Sequence, residues 1–120
     1  MNNRVLVLDD DEDILEIITY LLTEEGYEVL RLNNGGNIQE DIRTFRPNLI
    51  LMDVLLGELN GIELCKMLKH DPETSGLPII LISGTHNLSG SLYLDGAPDD
   101  FLAKPFDVDV LLQKVEKRLH

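Results

Sequence analysis

The feature that most constrains this chain is a set of short, nearly uninterrupted apolar runs set between segments of helical period. Val5-Leu-Val-Leu8, Leu49-Ile-Leu-Met52 and Pro78-Ile-Ile-Leu-Ile82 are such runs, each bounded by polar residues. A short run that is apolar at both odd and even positions describes a strand buried on both faces. Glu28-Val-Leu-Arg-Leu32 is a more polar strand, as suits a sheet edge, and Phe101-Leu-Ala103 is a short fifth one. The intervening segments carry helix periodicity. Ile14, Leu15, Ile18, Leu21 and Leu22 share one face, and Gly26 ends that helix. Ile38, Ile42 and Phe45 mark a second helix closed by Pro47. Asn60 with Glu63 forms a capping-box pattern that opens a third, with Ile62, Cys65 and Leu68 or the stem of Lys69 inward. The stretch from His86 to Asp95, which contains Gly90, predicts a short and poorly propagated helix. Asp107 caps a last helix with Val108, Leu111, Leu112, Val115 and Leu119 on one face. Strand and helix alternate throughout, which predicts an α/β fold: five parallel strands with five helices covering both faces.

The 120 residues suit a single domain over 1–120, with no linker, repeat or low-complexity tract. Acidic side chains number 22 against 10 basic ones, a net charge of −12. That balance argues against binding nucleic acid or an anionic membrane through this domain alone. One cysteine, Cys65, excludes an internal disulfide framework and a Cys-rich zinc site, and His70, His86 and His120 show no ligand spacing. Met1 to Arg4 leads straight into a strand, so no signal peptide is expected. The apolar runs are far shorter than the ~20 residues of a membrane span. The expectation is a cytoplasmic domain.

In a parallel sheet all strands end at one edge, and ligands bind outside those carboxyl ends. The residues that follow each run are therefore informative. Asp9, Asp10, Asp11 and Glu12 follow the first strand, Asp53 the third, Ser83 and Gly84 the fourth, and Lys104-Pro105 the fifth. Singly, each has an ordinary account: acids before a helix favour its dipole, and an Asp after a strand suits a turn. Together they place carboxylates, a hydroxyl and an ammonium on one edge. Two carboxylates about 4 Å apart repel by ~4 kcal/mol at an effective dielectric of 20, so the group needs counter-charge. Lys104 supplies one unit, and a hard divalent cation such as Mg²⁺ supplies two. An Asp beside both is a nucleophile toward phosphoryl groups, with Ser83 and the Gly84 amide as donors to phosphoryl oxygens.

The motifs Val-Leu-Val-Leu-Asp9-Asp10-Asp-Glu-Asp, Leu-Ile-Leu-Met-Asp53-Val, Ile-Leu-Ile-Ser83-Gly84 and Asp-Phe-Leu-Ala-Lys104-Pro105-Phe, in this order, resemble the receiver domain of bacterial two-component response regulators. The resemblance spans the whole chain. It implies the flavodoxin-like doubly wound sheet of order 2-1-3-4-5, an order carried over from the family. It also implies a phosphorylation-dependent switch rather than a turnover enzyme. Asp53 would be the phosphoacceptor, taking its phosphoryl group from the phosphohistidine of a sensor histidine kinase or a phosphotransfer protein. Mg²⁺ (or Mn²⁺) would be bound by Asp10, Asp53 and the backbone carbonyl of Leu55, with Asp9 acting through a metal-bound water. Lys104 would pair with Asp53 and then with the phosphoryl group. The backbone amides of Val54 and Gly84 would contact that group, and Ser83 and Phe101 would form the switch pair. A cis Lys104–Pro105 peptide is implied, and an output domain or effector protein would read the state.

Three features depart from the family pattern. Gly57 stands where proline is usual, which predicts a looser loop after Asp53. Phe101 replaces the commoner tyrosine, and the chain between Ser83 and Gly96 is shorter than typical, with Gly90 inside the short fourth helix, on the face through which family members dimerise. A second reading is a haloacid-dehalogenase-like phosphatase, from Asp9-Asp-Asp11 after the first strand and Ser83 after the fourth. It leaves Asp53 without a role and needs a lysine before a late Asp pair, whereas Asp99-Asp100 precedes Lys104. A third is a degenerate receiver that only binds proteins, against which every site residue is present.

Overall fold

The structure, a computed structural model, describes residues 3–57, 59–84 and 96–119. The chain runs β1 (Arg4–Leu8), α1 (Glu12–Glu24), β2 (Glu28–Leu32), α2 (Ile38–Phe45), β3 (Leu49–Asp53), β4 (Leu55–Leu56), β5 (Leu59–Asn60), α3 (Gly61–His70), β6 (Ile79–Ser83), β7 (Asp100–Ala103) and α4 (Val108–Leu119). Five strands form one sheet in the order β2-β1-β3-β6-β7, all neighbours parallel. This is the expected 2-1-3-4-5 arrangement, because β4 and β5 pair only with each other, antiparallel. The described residues contain four helices; the stretch read as a short helix from His86 lies outside them.

The apolar runs occupy the middle of the sheet for the predicted reason. Every residue of β3 and β6 is buried, whereas β2 at the edge is buried nowhere. Successive side chains along each strand point to opposite faces and so divide the core in two. On one face Val5, Val7, Leu49, Leu51, Ile80 and Ile82 meet Leu15, Ile18 and Leu22 of α1 and Leu111, Val115 and Leu119 of α4. On the other, Leu6, Leu8, Ile50, Met52, Ile79 and Leu81 meet Ile38 and Ile42 of α2 and Cys65 and Leu68 of α3.

Helix ends follow the sequence signals. Asn60 accepts a hydrogen bond from the Ile62 N–H (2.8 Å), and Asp107 accepts from Asp109 (2.8 Å) and Val110 (3.3 Å). Gly26, just past α1, has φ 93°, a left-handed value that glycine adopts without a Cβ penalty. The segment after Asp53 is a short hairpin rather than a loosened loop. Gly57, at its turn, has φ 65°, a conformation closed to proline, whose ring fixes φ near −65°.

Candidate functional site

Parallel register brings four strand ends to one level. Leu8 pairs with Met52, Asp53 with Ile82, and Ser83 with Ala103. Backbone bonds continue past the strands: Asp9 N–H to Leu32 O (3.1 Å), Val54 N–H to Ile82 O (3.0 Å) and Lys104 N–H to Ser83 O (2.8 Å). Asp9, Asp53, Ser83 and Lys104 thus stand side by side on the carboxyl edge. Asp10 is next to Asp9 on the exposed side.

These polar groups are placed where the hydrophobic effect would not put them. Asp9 is fully buried, and Asp53 and Ser83 are each 5% exposed. A buried carboxylate must be paired or hydrogen-bonded. Asp9 uses both oxygens: Oδ1 accepts from the Asp11 N–H (2.9 Å) and Oδ2 from Lys104 Nζ (3.1 Å). Lys104 Nζ also lies 3.3 Å from Asp53 Oδ2, so one ammonium bridges two buried carboxylates. Burial, then the Asp9 charge, push the Asp53 carboxyl above its ordinary pKa, against Lys104 and a hydrogen bond from the Leu55 N–H. Burial works against the Lys104 charge, but the hydrogen bond and charge of Asp9, then those of Asp53, outweigh it and hold its pKa above the usual value.

Carboxylate oxygens of Asp9, Asp10 and Asp53 come within 4.8 Å of one another. Three hard oxygen donors carry more negative charge than one lysine offsets. Their chemistry fits a hard divalent cation such as Mg²⁺ or Mn²⁺ and does not fit a soft one. The residues present therefore suit the group that the sequence resemblance implies.

The structure also revises the sequence reading. Val54 N–H is committed to Ile82 O at 3.0 Å, so it is not the amide that faces the phosphoacceptor. The backbone amide of the next residue, Leu55, is the one that favours the charged form of the Asp53 carboxylate. The alternation of a strand hides this, because β3 ends at Asp53 and the chain turns into the hairpin one residue later. Gly84 is exposed directly after β6, and Phe101 is half-buried in β7 against the cluster beneath α2 and α3. The Lys104–Pro105 peptide is cis. Asp11, given no role above, caps α1 by accepting from the N–H groups of Asp13 (2.9 Å) and Ile14 (3.4 Å). An Asp immediately before a helical period was the available signal.

Asp99 and Asp100 sit at the opposite end of β7. Asp99 accepts from Lys69 Nζ (2.7 Å) and Ile79 N–H (2.8 Å), and Asp100 from Lys114 Nζ (2.9 Å). They are structural partners, which removes the late Asp pair that the phosphatase reading needs. A cleft of about 750 Å³, lined by Arg43, Arg46, Pro72, Glu73 and Leu77, also lies at the amino edge of the sheet. Its position disagrees with the chemistry; the buried carboxylates at the other edge carry the functional argument.

Comparison with known proteins agrees with this geometry. The sequence model of the response regulator receiver domain matches residues 5–116. The chain is 35% identical over 120 residues to the DNA-binding response regulator MtrA of Mycobacterium tuberculosis, covering 99% of this chain and 51% of MtrA. It is 35% identical over 107 residues to the transcriptional regulatory protein PhoP of Bacillus subtilis, covering 88% and 44%. The chain thus spans about half the length of these curated relatives. The signal receiver domain of a histidine kinase from Syntrophus aciditrophicus superposes with a TM-score of 0.87 at 30% identity, covering 98% of this chain and 89% of that one. The chemotaxis regulator CheY4 of Vibrio cholerae, at 22% identity, shares the fold with a TM-score of 0.87, covering 99% and 100%. With the motifs, the sheet order and the buried Asp–Lys–Asp cluster on one edge, the chain belongs to the response regulator receiver domain family, the phosphorylation-dependent switches of two-component signalling.

Proposed function

We propose that residues 1–120 form one receiver domain in which Asp53 accepts a phosphoryl group from the phosphohistidine of a sensor histidine kinase or a phosphotransfer protein. The observation that carries this reading is the single ammonium of Lys104 bridging buried Asp9 and Asp53, with Asp10 beside them. An Asp53 oxygen forms a bond to phosphorus as the donor's P–N bond breaks, and the imidazole leaves with the electron pair. Leu55 N–H, Gly84 N–H and the Ser83 hydroxyl are the donors for the phosphoryl oxygens. Lys104, held charged by its two carboxylates, transfers from Asp53 to the new phosphoryl oxygens. Asp10, Asp53 and the Leu55 carbonyl would hold Mg²⁺ (or Mn²⁺), with Asp9 acting through a metal-bound water, and the cation would neutralise the negative charge that the phosphoryl group brings. Ser83 and Phe101 then reposition and alter the surface around β7.

The domain catalyses its own phosphorylation and dephosphorylation only. No described helix is long and apolar enough to cross a membrane. The domain is read as cytoplasmic, its acidic balance disfavours holding nucleic acid itself, and its state is read by an output domain or an effector protein. Intact-mass analysis after incubation with acetyl phosphate and Mg²⁺ tests the proposal. The wild type gains one phosphoryl group and Asp53→Asn gains none; a phosphorylated Asp53→Asn protein overturns the assignment.

A further inference from the structure

The amino end of α3 is seated directly on the peptide that carries Asp53. Gly61, the first residue of α3, is buried, and a Cβ on it would collide with the Asp53 carbonyl oxygen. The same atom would stand 2.9 Å from Val54 Cα and 3.1 Å from the Asp53 carbonyl carbon. These are backbone atoms, which cannot swing aside as the end of a side chain can. Gly61 N–H also donates to the Val54 carbonyl at 2.8 Å. Val54 is therefore pinned from both sides, its N–H by Ile82 of β6 and its C=O by Gly61 of α3. Val54 so fixed sets the start of the next residue, Leu55, whose backbone amide favours the charged Asp53 carboxylate. The hairpin closes the arrangement, since Leu55 pairs with Asn60, the neighbour of Gly61.

We propose that Gly61 is a positioning residue for phosphoryl transfer: its missing side chain lets α3 press on the 53–54 peptide and so aims Leu55 at the phosphoacceptor. This rests on the phosphoacceptor role of Asp53. Any side chain at 61 must move α3 or the 53–55 backbone by a few tenths of an ångström or more, and catalytic geometry is sensitive to shifts of that size. The residue is remote from the sequence motifs that mark the site and touches none of the reacting atoms.

The test compares Gly61→Ala with Leu68→Ala, a buried α3 residue two turns away that lines the core and not the site. Both are assayed below their unfolding transitions with acetyl phosphate and Mg²⁺. Gly61→Ala is expected to be phosphorylated at least tenfold more slowly than wild type, with Leu68→Ala within twofold of wild type. A Gly61→Ala rate equal to wild type overturns the proposal, as does an equal slowing of both variants, which is the signature of lost stability alone. If Gly61→Ala does not fold, the wild type decides through its ¹⁵N–¹H spectrum during titration with Mg²⁺ alone. The Gly61 and Leu55 amide resonances should move together while those of Gly26 and Gly76 stay in place. A stationary Gly61 beside a moving Leu55 overturns the proposal. If wild-type protein is not phosphorylated at all, the phosphoacceptor assignment itself has failed, and the positioning role fails with it.

Discussion

Replacing Lys104 by methionine removes the ammonium that bridges Asp9 and Asp53 and keeps most of the side-chain volume. Its ammonium lies 3.1 Å from Asp9 and 3.3 Å from Asp53, each attraction worth about 5 kcal/mol before desolvation at an effective dielectric of 20. Lys104 is 23% exposed, so water and the recovered hydration of the lysine offset much of that sum. Removing one partner of a buried pair generally costs roughly 3–5 kcal/mol. With a urea m-value of about 2 kcal/mol/M, the unfolding midpoint falls by roughly 1.5–2.5 M. The chain has no tryptophan, so far-ultraviolet circular dichroism is the signal, with EDTA present to exclude metal.

The same substitution has a pH signature. The folded Asp53 carboxyl already lies above the ordinary 3.8, because burial and Asp9 outweigh Lys104. A carboxyl raised on folding binds more protons in the folded state, so stability falls as pH rises from the ordinary value through the folded one. Without Lys104 both influences of the ammonium are lost and that window extends upward. The folded pKa of Lys104 is itself raised, so its own contribution is complete at any pH below 10.5 and equal at pH 5 and pH 7. The deficit of Lys104→Met relative to wild type is therefore larger at pH 7 than at pH 5, and Mg²⁺ restores part of it because the carboxylates left without Lys104 bind the cation more tightly than those of wild type. Equal deficits at the two pH values, or no deficit at pH 7, would refute the bridging argument.

Other expectations follow from neighbouring contacts. Asp10→Ala should weaken Mg²⁺ binding at least tenfold by calorimetric titration while the fold is kept, since Asp10 is exposed and joins the oxygen cluster. Cys65 is buried and its thiol is pushed up to about 11, chiefly by burial, so it should resist a thiol-alkylating reagent at pH 8 until denaturant is added. With the thiol raised from 9.0, stability falls as pH rises between those two values, and Cys65→Ala should flatten that decline. Asp11→Ala should lower stability by ~1 kcal/mol in urea unfolding through loss of the α1 cap, leaving Mg²⁺ affinity nearly unchanged.

Much of the architecture was legible because its causes are local. The runs at Val5, Leu49 and Ile79 became the buried central strands, and the period of Leu15, Ile18 and Leu22 became the buried face of α1. Local signals failed where the chain changes direction. The hairpin of β4 and β5 has strands of two residues, too short to show alternation, and Gly57 was read for its freedom rather than for the left-handed turn it makes. The Val54 amide was assigned from motif position, yet its partner is set by β6, a strand nearly thirty residues later in the chain.

The sequence by itself determined that strands and helices alternate, that the strands run parallel, and hence that Asp9, Asp53, Ser83 and Lys104 meet on one edge. A parallel sheet leaves no other place for residues at the carboxyl ends of its strands. Only the tertiary structure decided which atom each polar group takes as partner: Lys104 on Asp9 as well as Asp53, Lys69 on Asp99, and Gly61 against the Asp53–Val54 peptide. The physical reason is that a buried polar atom accepts whichever donor lies within about 3 Å in the right direction. Register and helix placement set that proximity across as many as 95 residues, and no local pattern records it.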